Sequence, residues 1–373
     1  MNNLHNKKIT YIFGDGRKDK LQSNKIFAKE FFYSYFEFKN KSKDVNIIEF
    51  KENNNPYLKF LDKLLRKITN LSFYTDNIYN SRNKRLLKNS DIIIATNDRL
   101  GLSILPMLIP KRGQNYKSFV FIMGLLSNNS TNLIKKFTNR FFLSIFLKTF
   151  DKFIFLGKPE YEKAIKKFSK YKDKFAFLPF SIDTEFWSFK KNSVKENDIL
   201  FIGNDSFRDY EFVLDLASKL ESLSFKVITS QINEDKVKNI PNVELVNGKW
   251  NKDLLSDHEI LEIYKKSKLT ILPLKNTIQP SGQSVALQSM SAGTPVMITK
   301  IEGFWDETQF ENNVNIFFLE NNNIVDWSKK INKVLNSNVI QENISTNARK
   351  LVHNIYNLDL FHKRFIEIME ETQ

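Results

Sequence analysis

Residues 278–296 read IQPSGQSVALQSMSAGTPV, from Ile278 to Val296. A short Pro-Ser-Gly loop runs into a helical pattern from about Ser284 to Ala292, and Gly293 and Pro295 stand where a helix should stop. The apolar run LTILPL (269–274) precedes it and VMIT (296–299) follows directly, so the unit reads strand, loop, helix, strand. A loop of small residues entering a helix leaves the first N–H groups aimed at one spot with the helix dipole behind them, which suits a phosphate. Gln288 falls one turn beyond Ser284 on the same face, roughly 6 Å down the axis at about 1.5 Å per residue, within reach of a sugar next to that phosphate. An ordinary crossover that binds nothing has the same grammar.

Outward from this unit the pattern repeats. Strands are expected at KITYIFG (8–14), DVNIIEF (44–50), DIIIATND (91–98), SFVFIMG (118–124), KFIFLG (152–157) and KFAFLPF (174–180). A second series restarts at DILFIG (198–203) and continues through FKVITS, NVELVNG, LTILPL, VMIT and NIFFLE. Helical patterns separate them, including one expected through NKIFAKEFFYSYFEF (24–38), and the tail from about Ile340 reads as helices. Between the series, SIDTEFWSFKKNSVKEND (181–198) loses periodicity as a linker does. Two α/β series imply two Rossmann-like parallel-sheet domains facing across a cleft.

Composition narrows the chemistry. With 373 residues the chain exceeds one ordinary core. It has no cysteine, which removes disulfides, thiol nucleophiles and thiolate metal sites. No secretory signal or membrane span is read, so a cytoplasmic protein, or one peripheral on the inner face of the membrane, is expected. The net charge of +15 is unevenly placed: residues 1–190 carry 36 Lys and Arg against 17 Asp and Glu, residues 191–373 carry 21 against 25. From Arg99 to Phe150 there are eight basic residues and no acid, interleaved with Phe and Leu. Such a face can meet an anionic membrane, an anionic lipid-linked substrate or nucleic acid, although a general Lys bias and Phe packed inward would also contribute.

Several residues stand where a parallel sheet binds ligands. Gly14-Asp15-Gly16 follows the first strand, but Asp19 occupies the third position of a dinucleotide fingerprint and would repel a pyrophosphate. A substrate loop or a plain turn remains. After the first strand of the second series come Asn204 and Arg208; a guanidinium is a natural phosphate clamp, and a solvated loop arginine is the alternative. The histidines at 5, 258, 353 and 362 lack metal-ligand spacing, and no Asp-x-Asp occurs, so no metal or cofactor is expected. Trp250 is a candidate wall of a base pocket or a core residue.

Taken together, FLPFSIDTEFW, FIGNDSFRDYEFVLDLASKL, LEIYKKSKLTILPL with PSGQSVALQSMSAGTPVMITKIEGFWDE, and NARKLVHNIYNLDLFHKRFIEIM resemble, in order over roughly 177–369, the retaining group 1 (family 4-like) glycosyltransferases of GT-B fold. The resemblance implies an N-terminal acceptor-side domain (1–190), a nucleotide-sugar donor domain (191–340) and C-terminal helices (341–373) crossing back to the first domain. It implies that Ser281, Gly282, Gln283 and Ser284 meet a diphosphate, Gln288 the ribose, and that Arg208 and Asn204 stand at the family's phosphate-binding lysine and arginine. The loop Gly14, Asp15, Gly16 falls on the acceptor side. The family signature carries two glutamates eight residues apart; here those positions are Pro280 and Gln288, and a neutral amide forgoes charge-assisted bonds to a ribose diol. No catalytic side chain is identified.

The expected function is metal-independent transfer of a sugar from a nucleotide-diphospho-sugar to a glycan or lipid-linked acceptor, in cell-surface polysaccharide or glycolipid synthesis. The basic half would approach an anionic membrane, and no nucleic acid partner is expected. The alternative is a non-catalytic nucleotide-sugar or glycan binder on a decayed scaffold.

Overall fold

The computed structural model describes residues 6–42, 44–51, 55–109, 116–126, 132–190, 193–247 and 255–372. Trp250, and part of the basic run between Arg99 and Phe150, lie outside the described residues. The chain forms two compact units, one of Met1–Lys25, Phe31–Leu178 and His362–Gln373, the other of Ile26–Glu30 and Pro179–Phe361.

The first unit is built on six parallel strands, β1 (Lys8–Phe13), β2 (Asp44–Glu49), β3 (Ile92–Ala95), β4 (Lys117–Ile122), β5 (Lys152–Phe155) and β6 (Phe175–Phe177), in the order β2-β1-β3-β4-β5-β6. Helices α1 (Arg17–Gln22), α2 (Tyr35–Lys41), α3 (Pro56–Thr69), α4 (Ser81–Lys88), α5 (Asp98–Leu108), α6 (Leu133–Thr149) and α7 (Lys158–Lys167) connect them. Strands covered on both faces need no polar alternation, and the IIIA of β3 is buried at every position. Phe146 and Phe150 pack edge-on against Phe153 of β5 at 5.1 and 6.0 Å, and Phe365 reaches Phe121 of β4 at 5.3 Å.

The second unit repeats the plan with β7 (Asn197–Ile202), β8 (Phe225–Ile228), β9 (Val243–Val246), β10 (Ser267–Leu272), β11 (Val296–Thr299) and β12 (Phe317–Leu319), all parallel in the order β12-β11-β10-β7-β8-β9. Its helices are α8 (Tyr210–Lys219), α9 (Asp257–Lys266), α10 (Gln283–Ser291), α11 (Ile324–Leu335), α12 (Asn338–Ile355) and the start of α13 (Leu358–Glu370). Eight of the nine residues of α10 are buried, so this helix is sealed on all sides. In each sheet the first strand is flanked by the second on one side and a later one on the other. The carboxyl ends of β1 with β3, and of β7 with β10, are therefore the switch points at which open α/β sheets receive ligands.

One sequence expectation fails. Residues 24–38 do not make a single helix: Tyr33 and Ser34 take positive φ of 49° and 64°, and α2 starts only at Tyr35. The reason lies in the second unit, where the amides of Ala28 and Lys29 donate to the carboxylates of Asp257 (2.9 Å) and Asp183 (3.3 Å). Backbone donors satisfied by distant carboxylates are not available to a helix ladder.

Candidate functional site

The switch point of the second unit is made by two loops. The loop after β7 (203–209) and the loop after β10 (273–282) are laced by backbone bonds, Asp209 N to Pro273 O at 3.0 Å and Lys275 N to Phe207 O at 2.8 Å. The Ser281 hydroxyl donates to Asp205 Oδ1 at 3.0 Å, and Asn322 ties Asp209 (2.8 Å) to the Leu274 carbonyl (3.2 Å). At the carboxyl ends of β10, β11 and β12 a cavity of about 370 Å³ opens, lined in part by Leu274, Asn276, Thr299, Lys300 and Asn322.

Arg208 lies inside this framework and is only 3% exposed. Its niche is made by absent side chains: a Cβ on Gly203 would come 2.3 Å from Nε, and one on Gly282 would come 3.0 Å from Nη1. Gly282 is also the residue before α10, with φ of 84°, a conformation that costs any other residue strain. The Asp205 carboxylate sits 3.2 Å from Nε but off the N–H direction, so it balances charge without a hydrogen bond. Both Nε and Nη1 are buried without a hydrogen-bond acceptor among the described residues. No side chain caps α10 either. A buried guanidinium with idle donors beside an uncapped helix N-terminus is arranged for an anion with several oxygens.

The other expected residues distribute around this point. Gln283 is buried at the start of α10 and Ser284 is half-buried. Asn204 is anchored to the end of β8, its carbonyl accepting from Thr229 Oγ1 (3.0 Å), Ser230 N (2.6 Å) and Ser230 Oγ (3.0 Å). Gln288 is buried and engaged on both ends: Nε2 donates to Glu30 Oε1 at 2.8 Å, and Oε1 accepts from Tyr264 at 3.2 Å. Trp187 Nε1 donates to the same Glu30 oxygen at 2.8 Å, while Oε2 is buried without a partner among the described residues. Burial pushes the Glu30 carboxyl up to about 7, against hydrogen bonds from its own amide, Gln288 and Trp187 that favour the ion.

In the first unit, Gly14 and Gly16 sit at the switch point after β1. Gly16 has φ of 83°, and a Cβ at either glycine would meet nothing within 4 Å. Nearby strand ends carry two buried carboxylates that sequence reasoning passed over. Glu160 accepts from the amides of Gly124 and Leu126, both at 2.9 Å, and burial lifts it to about 7, with Asp98 adding repulsion. Asp98 accepts from Met123 N at 3.2 Å and burial lifts it to about 6. An acid directly after a parallel strand, as in DIIIATND, was the available signal for Asp98. Nothing in the surrounding aromatic run singles out Glu30.

Residues 183–351 match the family model of glycosyl transferases group 1, a span that holds Arg208, Gly282 and α10. The matched span, a little under half of the chain, is similar to the group 1 glycosyltransferases. A curated relative, an uncharacterised glycosyltransferase of Methanocaldococcus jannaschii, is 28% identical over 107 residues, 29% of this chain and 26% of its own length. The match thus spans about a quarter of that relative. Solved structures agree over almost the entire chain, which is similar to sucrose-phosphate synthase of Thermosynechococcus elongatus (TM-score 0.69, 12% identity, 98% and 99% of the two chains). It is similar to Anabaena HepE, solved with UDP and glucose (0.67, 11%, 98% and 99%), and to a Rickettsia africae glycosyltransferase (0.66, 14%, 99% of each). These likenesses identify the fold of the chain as GT-B.

Proposed function

We propose that the protein transfers a sugar from a nucleotide-diphospho-sugar to a glycan or lipid-linked acceptor, with retention at the anomeric carbon and without a divalent metal. The observation that carries this reading is the buried Arg208 guanidinium, with Nε and Nη1 unbonded, next to the N-terminus of α10. A diphosphate supplies the acceptor oxygens that this arrangement lacks, and Arg208 with the amides of 282–284 stabilises the charge that grows as the diphosphate leaves. The bond from the anomeric carbon to the β-phosphate oxygen breaks, the acceptor oxygen takes its place on the same face, and the acceptor proton departs with the diphosphate. Positioning of the acceptor, assigned to the open Gly14-Asp15-Gly16 loop, supplies the remaining rate. Gln288 has one amide proton beyond that given to Glu30 and offers it to the ribose, and Asn204 shapes the loop between β7 and the diphosphate.

UDP-glucose is the first donor to test and UDP the first nucleotide ligand, since Anabaena HepE was solved with both. The reading places the reaction in polysaccharide or glycolipid synthesis at an anionic membrane surface, approached by the basic first half. The test is calorimetric binding of a panel of nucleotide sugars, followed by donor hydrolysis and transfer, for wild type, Arg208→Ala and Gln288→Ala. Affinity is expected to fall by on the order of 10²-fold in Arg208→Ala, the loss of charge-assisted hydrogen bonds, and by about tenfold in Gln288→Ala. Unchanged binding and turnover in both variants would remove the site assignment.

A further inference from the structure

Helices α3 and α6 lie side by side in the first unit. The Thr138 hydroxyl donates to the Ile68 carbonyl at 2.5 Å, Asn139 donates to Thr69 O at 2.8 Å, and the Phe73 and Phe142 rings meet edge-on at 5.5 Å. One side of α6 enters the core through Leu143, Phe146 and Leu147. Its other side is just as apolar, yet stays in solvent: Leu133 is 80% exposed, Ile134 71%, Phe137 75% and Phe141 55%. Leu133, Phe137 and Phe141 recur every four residues and so share one face. On α3, Tyr57, Phe60 and Leu64, at spacings of three and four, are 69%, 65% and 44% exposed. Scattered exposed hydrophobics are ordinary, but seven on two adjacent helices form a surface that something covers.

The charges around it select the partner. On α3, Lys59, Lys63 and Lys67 are exposed, and the helix's one acid, Asp62, is buried and accepts from Asp76 N at 2.8 Å. Helix α6 carries Lys135, Lys136, Arg140 and Lys148 and no acid at all. The cationic field extends to α7, where Lys167 is held below its usual range by burial and then by repulsion from Lys163 and Arg140. A second copy of this chain would bring the same charges and repel. A nucleic acid would reward the lysines but gives little to Leu133 and Ile134, which offer no ring on which a base stacks. An anionic bilayer answers both features, taking aliphatic and aromatic side chains at the acyl boundary while phosphates meet the lysines.

We propose that α3 and α6 form a docking face for anionic lipid bilayers. Its use in catalysis rests on the lipid-linked acceptor reading above; binding to lipid itself requires neither donor nor acceptor. The test is co-sedimentation of the full chain with vesicles of phosphatidylcholine alone or mixed with phosphatidylglycerol, over a salt series. Binding is expected only with phosphatidylglycerol, falling as salt rises. The double variants Phe137→Ser/Phe141→Ser and Lys135→Gln/Lys136→Gln should each weaken it by about tenfold or more. Because all four side chains lie at the surface or partly so, thermal midpoint and UDP binding should stay at wild-type values in both variants. No binding to phosphatidylglycerol vesicles, or binding equal in wild type and both variants, overturns the proposal. So does a dimer, seen by light scattering, that Phe137→Ser/Phe141→Ser dissolves, or tight binding of single-stranded RNA that the phenylalanine pair leaves intact. Loss of UDP binding in wild type with vesicle binding retained would sink the donor reading and leave the docking face standing.

Discussion

Three buried carboxyls, Glu30, Asp98 and Glu160, set an unusual relation between stability and pH. Burial lifts them to about 7, 6 and 7 from ordinary values of 4.5, 3.8 and 4.5. A raised acid is protonated in the fold while its unfolded counterpart has ionised, so the native state binds more protons across that interval. The stability these groups contribute is complete below about pH 4 and is lost as pH rises through 6 to 7. Chemical denaturation should therefore show stability falling between pH 4.5 and 7, by on the order of 1–3 kcal/mol per group. Glu160→Gln, whose amide nitrogen must face either the Gly124 or the Leu126 amide because each carboxylate oxygen accepts from one of them, tests the direction: its slope across that window should be shallower than wild type. A wild-type stability that rises steadily over the same window would refute it. The same three residues show where sequence reasoning stops. Asp98 was visible as an acid after a strand, but the burial that raises it comes with the packing that brings Met123, 25 residues away, onto its carboxylate.

Among the elements, α10 and its entry carry the greatest constraint. Gly282 has a positive φ, and a Cβ there would come 3.0 Å from Arg208 Nη1, so Gly282→Ala incurs backbone strain and a displaced guanidinium together. A loss of about 1–2 kcal/mol in stability is expected, with a larger proportional loss in UDP affinity read by calorimetry. Full affinity in that variant would show that Arg208 does not need its niche. Strand–loop–helix–strand was legible here because each element carries its own signal: continuous apolar runs for strands buried on both faces, small residues for the loop, and Gly-Thr-Pro for the stop. Arg208 was legible only as a choice between clamp and solvated side chain. Its burial, which removes the solvated alternative, is permitted by Gly203 and Gly282, which approach it from two loops far apart in sequence. The failure at 24–38 has a related cause. Phe and Tyr recur there at helical spacing, but the amides of Ala28 and Lys29 have carboxylate acceptors that no local pattern reveals.

At the scale of the molecule, the two sheets follow one plan, with the chain growing outward from β1 and from β7 and reversing at a switch point each time. That plan was readable from the alternation alone, since parallel strands joined by crossover helices leave few other topologies. Charge separation was readable too, but the sequence could not say which of the aromatic residues among the lysines face the core. Phe142 and Phe146 pack inward, whereas Phe137 and Phe141 stay largely in solvent, Phe141 with its ring edge-on to Phe142.

The membership of Ile26–Glu30 in the second unit has a practical consequence for dissection. Five residues between α1 and α2 complete a body whose remainder begins only at Pro179. A fragment spanning 179–361 would leave Trp187 Nε1 and Gln288 Nε2 without their carboxylate and Asp183 and Asp257 without their amides. Such a fragment should express poorly or unfold at a lower midpoint. A synthetic peptide covering residues 24–32, added in trans, should raise that midpoint, and the same peptide with Glu30→Ala should do so less. A fragment that is fully stable alone and indifferent to the peptide would contradict this. Chimeras that exchange donor halves between related enzymes at one crossover point would inherit the same defect, so four junctions, two of them flanking Ile26–Glu30, are needed to graft this unit intact.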